Sequence, residues 1–178
     1  MKIVHACVLA SAVFLFFPGT GLPEDKVAAQ KAALSSLSGA DSYSVKSPYS
    51  QAIDEMYLGY DKDGKPNVGA SLRKFKTYKV VYALLVVEKQ NGKFVVKKAD
   101  IPDISLITGK DKQDKVLKAA SDFSGKTVKE SSGNMVRVDA VTGATRYYSA
   151  IYATFNLMAE KIVEEMEKNP PWERKKPN

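Results

Sequence analysis

The run from Tyr78 to Glu88, YKVVYALLVVE, is the most apolar and most β-branched stretch of the chain beyond its N-terminal segment. A half-buried strand alternates apolar and polar residues, whereas this run is apolar almost throughout. Continuous apolarity over so short a length is typical of a strand that is covered on both faces. The run therefore predicts the central strand of a sheet.

Turn residues divide the neighbouring sequence into further strands. Asn91-Gly92 stands between the central run and Lys93–Lys97, and Asn-Gly between two such runs is a strong signal for a hairpin. A strand at Met56–Tyr60 ends in the turn residues of Asp61-Lys62-Asp63-Gly64. A second hairpin is expected from Lys126–Glu130 and Asn134–Val138. These signals favour antiparallel pairing.

Apolar residues at three- and four-residue steps predict three helices. Residues 24–38 form a modest helix that ends at Gly39, and Lys112–Phe123 form a short one. The last helix has the clearest apolar stripe, which we interpret as core: Tyr148, Ile151, Tyr152, Phe155, Met158, Ile162, Val163 and Met166. Gly39–Gln51 is rich in Ser, Tyr and Pro and is expected to be a loop.

This order of elements predicts an α+β fold with a mainly antiparallel sheet packed against helices and a long amphipathic helix at its C-terminus. The expected divisions are a leader at 1–21, an N-terminal helix and linker at 22–51, one domain at 52–168, and a basic, flexible tail at 169–178.

The first 21 residues have the pattern of a secretory signal peptide. Lys2 precedes an apolar run from Ile3 to Phe17, and small residues follow. A retained membrane anchor is the weaker interpretation because the run is short for a bilayer. Cleavage is expected after Gly21, with a site after Ala29 as the alternative. Localisation would then be periplasmic or extracellular, with peripheral membrane association left open and no integral span in the mature chain.

Removal of the leader would remove His5 and Cys7, which are the only histidine and the only cysteine. Disulfides, zinc–thiolate sites and Ser-His-Asp catalysis are then excluded, and no transition-metal site is expected. The chain is basic, with a net charge of +7. Its lysines are spread out and no nucleic-acid-reading motif is present, so nucleic acid is not an expected partner.

The stretch VDAVTGATRYYSA, residues 138–150, leads into the last helix. A helix N-terminus exposes unpaired N–H groups and partial positive charge, so its first turn usually carries Asp or Glu. Here Gly143, Ala144 and Arg146 occupy that position instead. This arrangement fits a phosphate seat, in which small residues let a ligand approach the backbone. The alternative is an ordinary N-cap at Thr142 or Thr145, with Arg146 in solvent.

The same residues resemble a known family. Asp139-Ala140-Val141-Thr142-Gly143-Ala144-Thr145 matches the five specified positions of the D-x-x-S/T-G-A-T flavinylation motif of the FMN-binding domain. That domain occurs in the C and G subunits of sodium-translocating NADH:quinone reductase and Rnf-type complexes, and in small exported flavoproteins. Weaker resemblance extends over residues 52–165.

The resemblance implies a covalent cofactor. In the family, a flavin transferase that uses FAD and magnesium esterifies the last threonine of the motif to the phosphate of FMN. Thr145 would be the attachment residue, with Asp139, Thr142, Gly143 and Ala144 as the recognition sequence and phosphate surroundings. Arg146 is a candidate counter-ion and Tyr147 a candidate flavin contact.

Two departures from the family bear on function. Arg146, Tyr147 and Tyr148 replace the small or hydroxylated residues that often follow the motif, and the Glu-Thr-Pro-Gly type segment of the respiratory subunits is missing. The second departure favours a stand-alone electron carrier over a respiratory-complex subunit. Because the mature chain would lack histidine and cysteine, a carrier that serves a redox partner protein is also favoured over a self-contained enzyme. The alternatives are a non-covalent FMN- or ligand-binding module and a small extracytoplasmic flavin reductase.

Overall fold

The computed structural model describes residues 24–131, 135–138 and 149–177. They form one α+β domain with a long C-terminal helix, as predicted. The helices are α1 (Glu24–Ser36), α2 (Lys110–Ser121) and α3 (Ser149–Lys168), with a short 3-10 helix at Ile104–Leu106. The strands are β1 (Ser42–Lys46), β2 (Glu55–Tyr60), β3 (Pro66–Lys76), β4 (Val80–Gln90), β5 (Lys93–Asp100), β6 (Thr127–Ser131) and β7 (Met135–Val138).

The seven strands form a single sheet in which spatial order follows sequence order, β1 to β7. Every neighbouring pair is antiparallel. The longest ladder joins β3 and β4, from Val68 opposite Glu88 to Lys76 opposite Val80. Short turns join β2 to β3, β3 to β4 and β4 to β5, and each returns the chain beside the strand that it has just left. The connection from β5 to β6 is longer and contains the 3-10 helix and α2.

The central-strand prediction for β4 is confirmed, since residues 81–87 are all buried. Alternate side chains of β4 enter two separate cores, because successive residues of a strand point to opposite faces. Leu84 and Val86 face α1, where they meet Ala29 and Ala33. Residues of the other register pack with α2 and α3 in a larger core that includes Leu85, Val87, Val116, Phe123, Phe155 and Ile162.

The Asn-Gly hairpin is also confirmed. Gln90 pairs with Lys93, and Asn91 and Gly92 have φ values of 50° and 78°. Positive φ at both central residues matches the right-handed twist of the flanking strands, and Asn and Gly tolerate it best. The β6–β7 hairpin is likewise present, with Lys129 opposite Arg137.

The predicted loop at 39–51 is wrong in part, because it contains β1, which pairs with β2 from Ser42–Tyr60 to Lys46–Met56. The predicted division at 51/52 also has no counterpart in the fold. The helix before it covers one face of the sheet and the strand before it extends that sheet, so both belong to the same domain.

The C-terminal segment contacts the domain, whereas the sequence predicts a basic, flexible tail at 169–178. The backbones of Tyr43 and Lys175 exchange two hydrogen bonds of 2.8 and 2.7 Å. The Arg174 guanidinium lies 4.1 Å from the centroid of the Tyr60 ring. Trp172 packs edge-on against Tyr49, with ring centroids 6.2 Å apart. These contacts extend the domain past the end of α3 and partly cover the outer edge of β1.

None of the described helices is long and apolar enough to cross a membrane. This finding does not extend to the apolar segment 1–21. The predicted cleavage site after Gly21 precedes the described residues, and the alternative site after Ala29 falls within α1. Residues 1–23 lie outside the described part of the chain.

Candidate functional site

The predicted site lies between β7 and α3. Its residues, Asp139, Thr142, Gly143, Ala144, Thr145, Arg146 and Tyr147, all fall within 139–148, which lies outside the described residues. The structure describes the elements on either side. A strand therefore precedes the motif directly and a helix follows it, which is the local order that the sequence predicts.

Backbone pairing defines the strand side of the motif. Val138, the residue before Asp139, lies opposite Val128 of β6. Val128 in turn lies opposite Phe94 of β5. The chain thus enters the motif from a strand that is connected to the centre of the sheet through two antiparallel neighbours.

Aromatic packing defines the helix side. Ile151 in the first turn of α3 is buried. The next residue, Tyr152, donates a hydrogen bond from Oη to Asp122 Oδ2 at 3.3 Å, and its ring centroid lies 5.3 Å from that of Phe123. Phe123 also contacts Phe155, with 5.2 Å between the ring centroids. The first two turns of α3 are therefore fixed against the end of α2.

The described start of α3 carries no acidic residue in its first turn. An acid there would compete with an anionic ligand for the partial positive charge of the helix end. The described part of the helix is thus compatible with an anion near its N-terminal end, and the partly exposed ring of Tyr152 belongs to that end of the helix.

An open groove lies next to the strand side of the motif. Its volume is about 490 Å³, and Phe94, Val128 and Glu167 are among the residues that line it. Glu167 belongs to the last turn of α3, whereas the motif precedes the first turn, so this groove and the start of α3 lie at different ends of the helix. The groove borders Val128 and hence the strand that enters the motif.

Sequence reasoning missed a buried polar cluster far from the motif. The Glu55 residue is 1% exposed, and its carboxylate accepts hydrogen bonds from Tyr57 Oη, from Gln30 Nε2 at 2.8 Å and from Ser47 Oγ at 3.0 Å. Lys26 Nζ lies 3.2 Å from the same carboxylate. The only signal in the sequence is that Glu55 directly precedes the predicted strand Met56–Tyr60, so that it shares a face with Tyr57 when the strand begins one residue earlier, as it does in the structure.

Electrostatics in this cluster favour the charged carboxylate. Burial alone raises the pKa of Glu55, but the hydrogen bonds from Tyr57, Gln30, Lys26 and Ser47 outweigh it and lower the pKa overall. Burial and the neighbouring carboxylate raise the pKa of Tyr57, so its hydroxyl stays protonated. Because each group is satisfied by a partner, we assign the cluster to the attachment of α1 to the sheet.

Within the described ranges, no group of three or more His, Cys, Asp or Glu side chains has the arrangement of a metal site. Comparison of the chain with protein-family models, with curated proteins and with solved structures found no match. The functional assignment therefore rests on the motif and on the elements that flank it.

Proposed function

We propose that the protein is an exported flavoprotein that carries FMN on Thr145 through a phosphoester and relays electrons to or from a partner redox protein. The observation that carries the proposal is the sequence Asp139-Ala140-Val141-Thr142-Gly143-Ala144-Thr145, preceded by β7 and followed by α3. A hydroxyl ahead of a helix suits this attachment, because helix N-termini attract phosphate.

The attachment reaction balances with FAD as donor. Thr145 Oγ1 attacks the phosphorus on the riboflavin side of the pyrophosphate, and the bond to the bridging oxygen breaks. AMP leaves, the hydroxyl proton passes to solvent or to the transferase, and FMN remains joined to the protein by a phosphodiester. No electrons are transferred in this step, so the flavin transferase and its magnesium are sufficient.

The flavin supplies the redox chemistry, and the protein supplies attachment, orientation and electrostatics. Arg146 and the helix end would offset the charge of the phosphodiester. Tyr152, which is partly exposed, offers an aromatic ring near the described start of α3, whereas the Phe123 ring that it packs against is fully buried. With its histidine and cysteine both inside the predicted leader, the mature chain would lack the residues for Ser-His-Asp and Cys-His catalysis.

Coexpression with a flavin transferase in an exporting host tests this proposal. The expected product carries the mass of FMN less one water, and its flavin fluorescence stays with the protein band on a denaturing gel. Thr145→Ala should abolish the adduct, while Thr142→Ala, the matched control, should retain it. A flavin that binds the native protein but separates on denaturation would favour the non-covalent module. Flavin undiminished in Thr145→Ala would refute the attachment site.

A further inference from the structure

Two of the three exposed large aliphatic side chains of the described residues lie at one end of the sheet, and the third, Leu34, is on α1. Val80 is 46% exposed and Leu106 is 39% exposed, whereas most large apolar side chains of the described residues are buried. Val80 begins β4, and Leu106 follows the end of β5 in the 3-10 helix. Because Asp100 at the end of β5 lies opposite Leu84, both aliphatic residues lie beyond the same end of that ladder.

A cation–π contact joins the two segments. Lys112 Nζ lies 5.3 Å from the centroid of the Tyr78 ring, which holds the start of α2 against the β3–β4 connection. We call the resulting surface the basic end. It consists of Lys76, Lys79, Val80, Leu106, Lys110 and Lys112, all of them exposed.

The basic end has an excess of positive charge. Among the salt bridges of the described residues, none involves its four lysines. The acids close by in sequence are Asp103, Asp111 and Asp114, and Asp111 is paired with Lys115 at 2.8 Å. The surface is therefore suited to a partner that is anionic over an area rather than at a point.

We propose that the basic end binds the surface of an anionic lipid bilayer. The lysines would contact lipid phosphates while Val80 and Leu106 enter the headgroup region. Clusters of four or more basic residues next to apolar side chains are typical of such contacts. Protein–protein interfaces, in contrast, are depleted in lysine, so an acidic protein fits these residues less well. This contact is peripheral, and it does not depend on the flavin.

Vesicle cosedimentation tests the proposal. The protein is purified with a single N-terminus, which intact mass verifies. It is then mixed with vesicles of phosphatidylglycerol and phosphatidylcholine in equal amounts, or of phosphatidylcholine alone. We expect binding to the anionic vesicles at about 0.02 M salt and release at about 1 M salt, where the screening length is about 3 Å. Any contribution of the apolar segment 1–21 is separated by its insensitivity to salt.

Variants locate the surface. Each lysine near an anionic membrane contributes roughly a fivefold change in partitioning, so Lys79→Gln/Lys110→Gln should weaken salt-sensitive binding about 25-fold. Val80→Ser and Leu106→Ser should each weaken it by about 3- to 10-fold through lost apolar burial. The control Lys62→Gln/Lys65→Gln removes the same charge from the turn between β2 and β3, at the opposite end of β3. It should bind as the wild type does.

The outcomes separate the alternatives. Equal loss in the Lys62/Lys65 control would assign the binding to overall charge and overturn the proposal. The absence of any salt-sensitive binding to the anionic vesicles would do the same. A flavin-free Thr145→Ala protein should bind vesicles normally, so failure here and failure of the proposed function are distinguishable.

Discussion

Lys26 Nζ of α1 lies 3.2 Å from the Glu55 carboxylate of β2, and the Glu55 side chain is 2% exposed. Three further donors, on Gln30, Ser47 and Tyr57, satisfy the same carboxylate. A buried charge that keeps all its partners is tolerated, whereas one that loses them is costly. The first helix is thus attached to the sheet by specific polar contacts as well as by apolar packing.

The first prediction concerns this carboxylate. Glu55→Gln should lower the free energy of unfolding by about 1–3 kcal/mol, because hydrogen bonds to a charged group are replaced by weaker ones. The control is Glu88→Gln, which removes a partly exposed carboxylate 3.5 Å from Lys97 and should cost less than about 1 kcal/mol. Urea unfolding at pH 7 measures both. Equal losses in the two variants would contradict the assigned role.

The stability difference between the wild type and Glu55→Gln should also depend on pH, with a definite sign. The folded protein lowers the pKa of Glu55 below its ordinary value of 4.5. Its contribution is therefore complete above the unfolded pKa and is lost as pH falls through the folded pKa. The stability difference between wild type and Glu55→Gln should be constant from pH 7 to about 5 and should narrow below about 4.5.

The second prediction concerns leader cleavage. Ala29 is fully buried, and Lys26 and Gln30 both contact Glu55. Cleavage after Ala29 would remove Lys26 and the first half of α1, while cleavage after Gly21 keeps the helix whole. We expect the exported protein to begin upstream of Glu24, as terminal sequencing would determine. A chain that starts at Gln30 should be less stable than one that starts at Leu22 by more than about 2 kcal/mol.

The third prediction concerns the contact of α3 with β3. A Cβ atom at Gly69 would lie 2.4 Å from Ile162 Cγ2 and 3.2 Å from Met166 Sδ. Isoleucine is stiff at χ1, so Gly69→Ala should displace α3 and cost about 1–3 kcal/mol. Ile162→Ala removes the clashing methyl group. The double variant should therefore be more stable than the sum of the single losses implies, as a double-mutant cycle measures. Strict additivity would show that the two positions are not in contact.

Strong local signals explain the elements that sequence reasoning found. Three of these signals are local in sequence: the apolar run of β4, the Asn91-Gly92 turn and the apolar stripe of α3. Each predicts its element from a short, continuous stretch of residues. In contrast, β1 is short and only its central residue, Ser44, is buried, so its pairing with β2 decides its conformation. The strand β3 has no counterpart among the predicted elements, because Gly69 and the cations from Arg73 onwards interrupt its apolar pattern.

Contacts between residues far apart in the sequence could not be predicted either. Glu55 and Gln30 are 25 residues apart in sequence, and Tyr43 and Lys175 are farther apart still. Neither contact is associated with a periodic pattern in the sequence. The candidate site, in contrast, was predictable from the sequence because its motif is a continuous stretch of specific residue types. Its flanking strand and helix were predicted as well, and the groups that would contact the flavin depend on the tertiary structure.

The fourth prediction orders the residues of the motif by their roles. In the proposed function Thr145 provides the acceptor oxygen, so its loss should abolish the flavin adduct. Asp139 is the first specified position of the motif, so Asp139→Ala should impair recognition by the transferase without removing the acceptor. Partial modification is expected for Asp139→Ala and near-complete modification for Thr142→Ala. Fold stability should change by no more than an N-cap loss, about 0.5–2 kcal/mol, in each case. Peptide mass spectrometry of the three variants measures the order, and full modification of Asp139→Ala at low transferase levels would remove Asp139 from the recognition sequence.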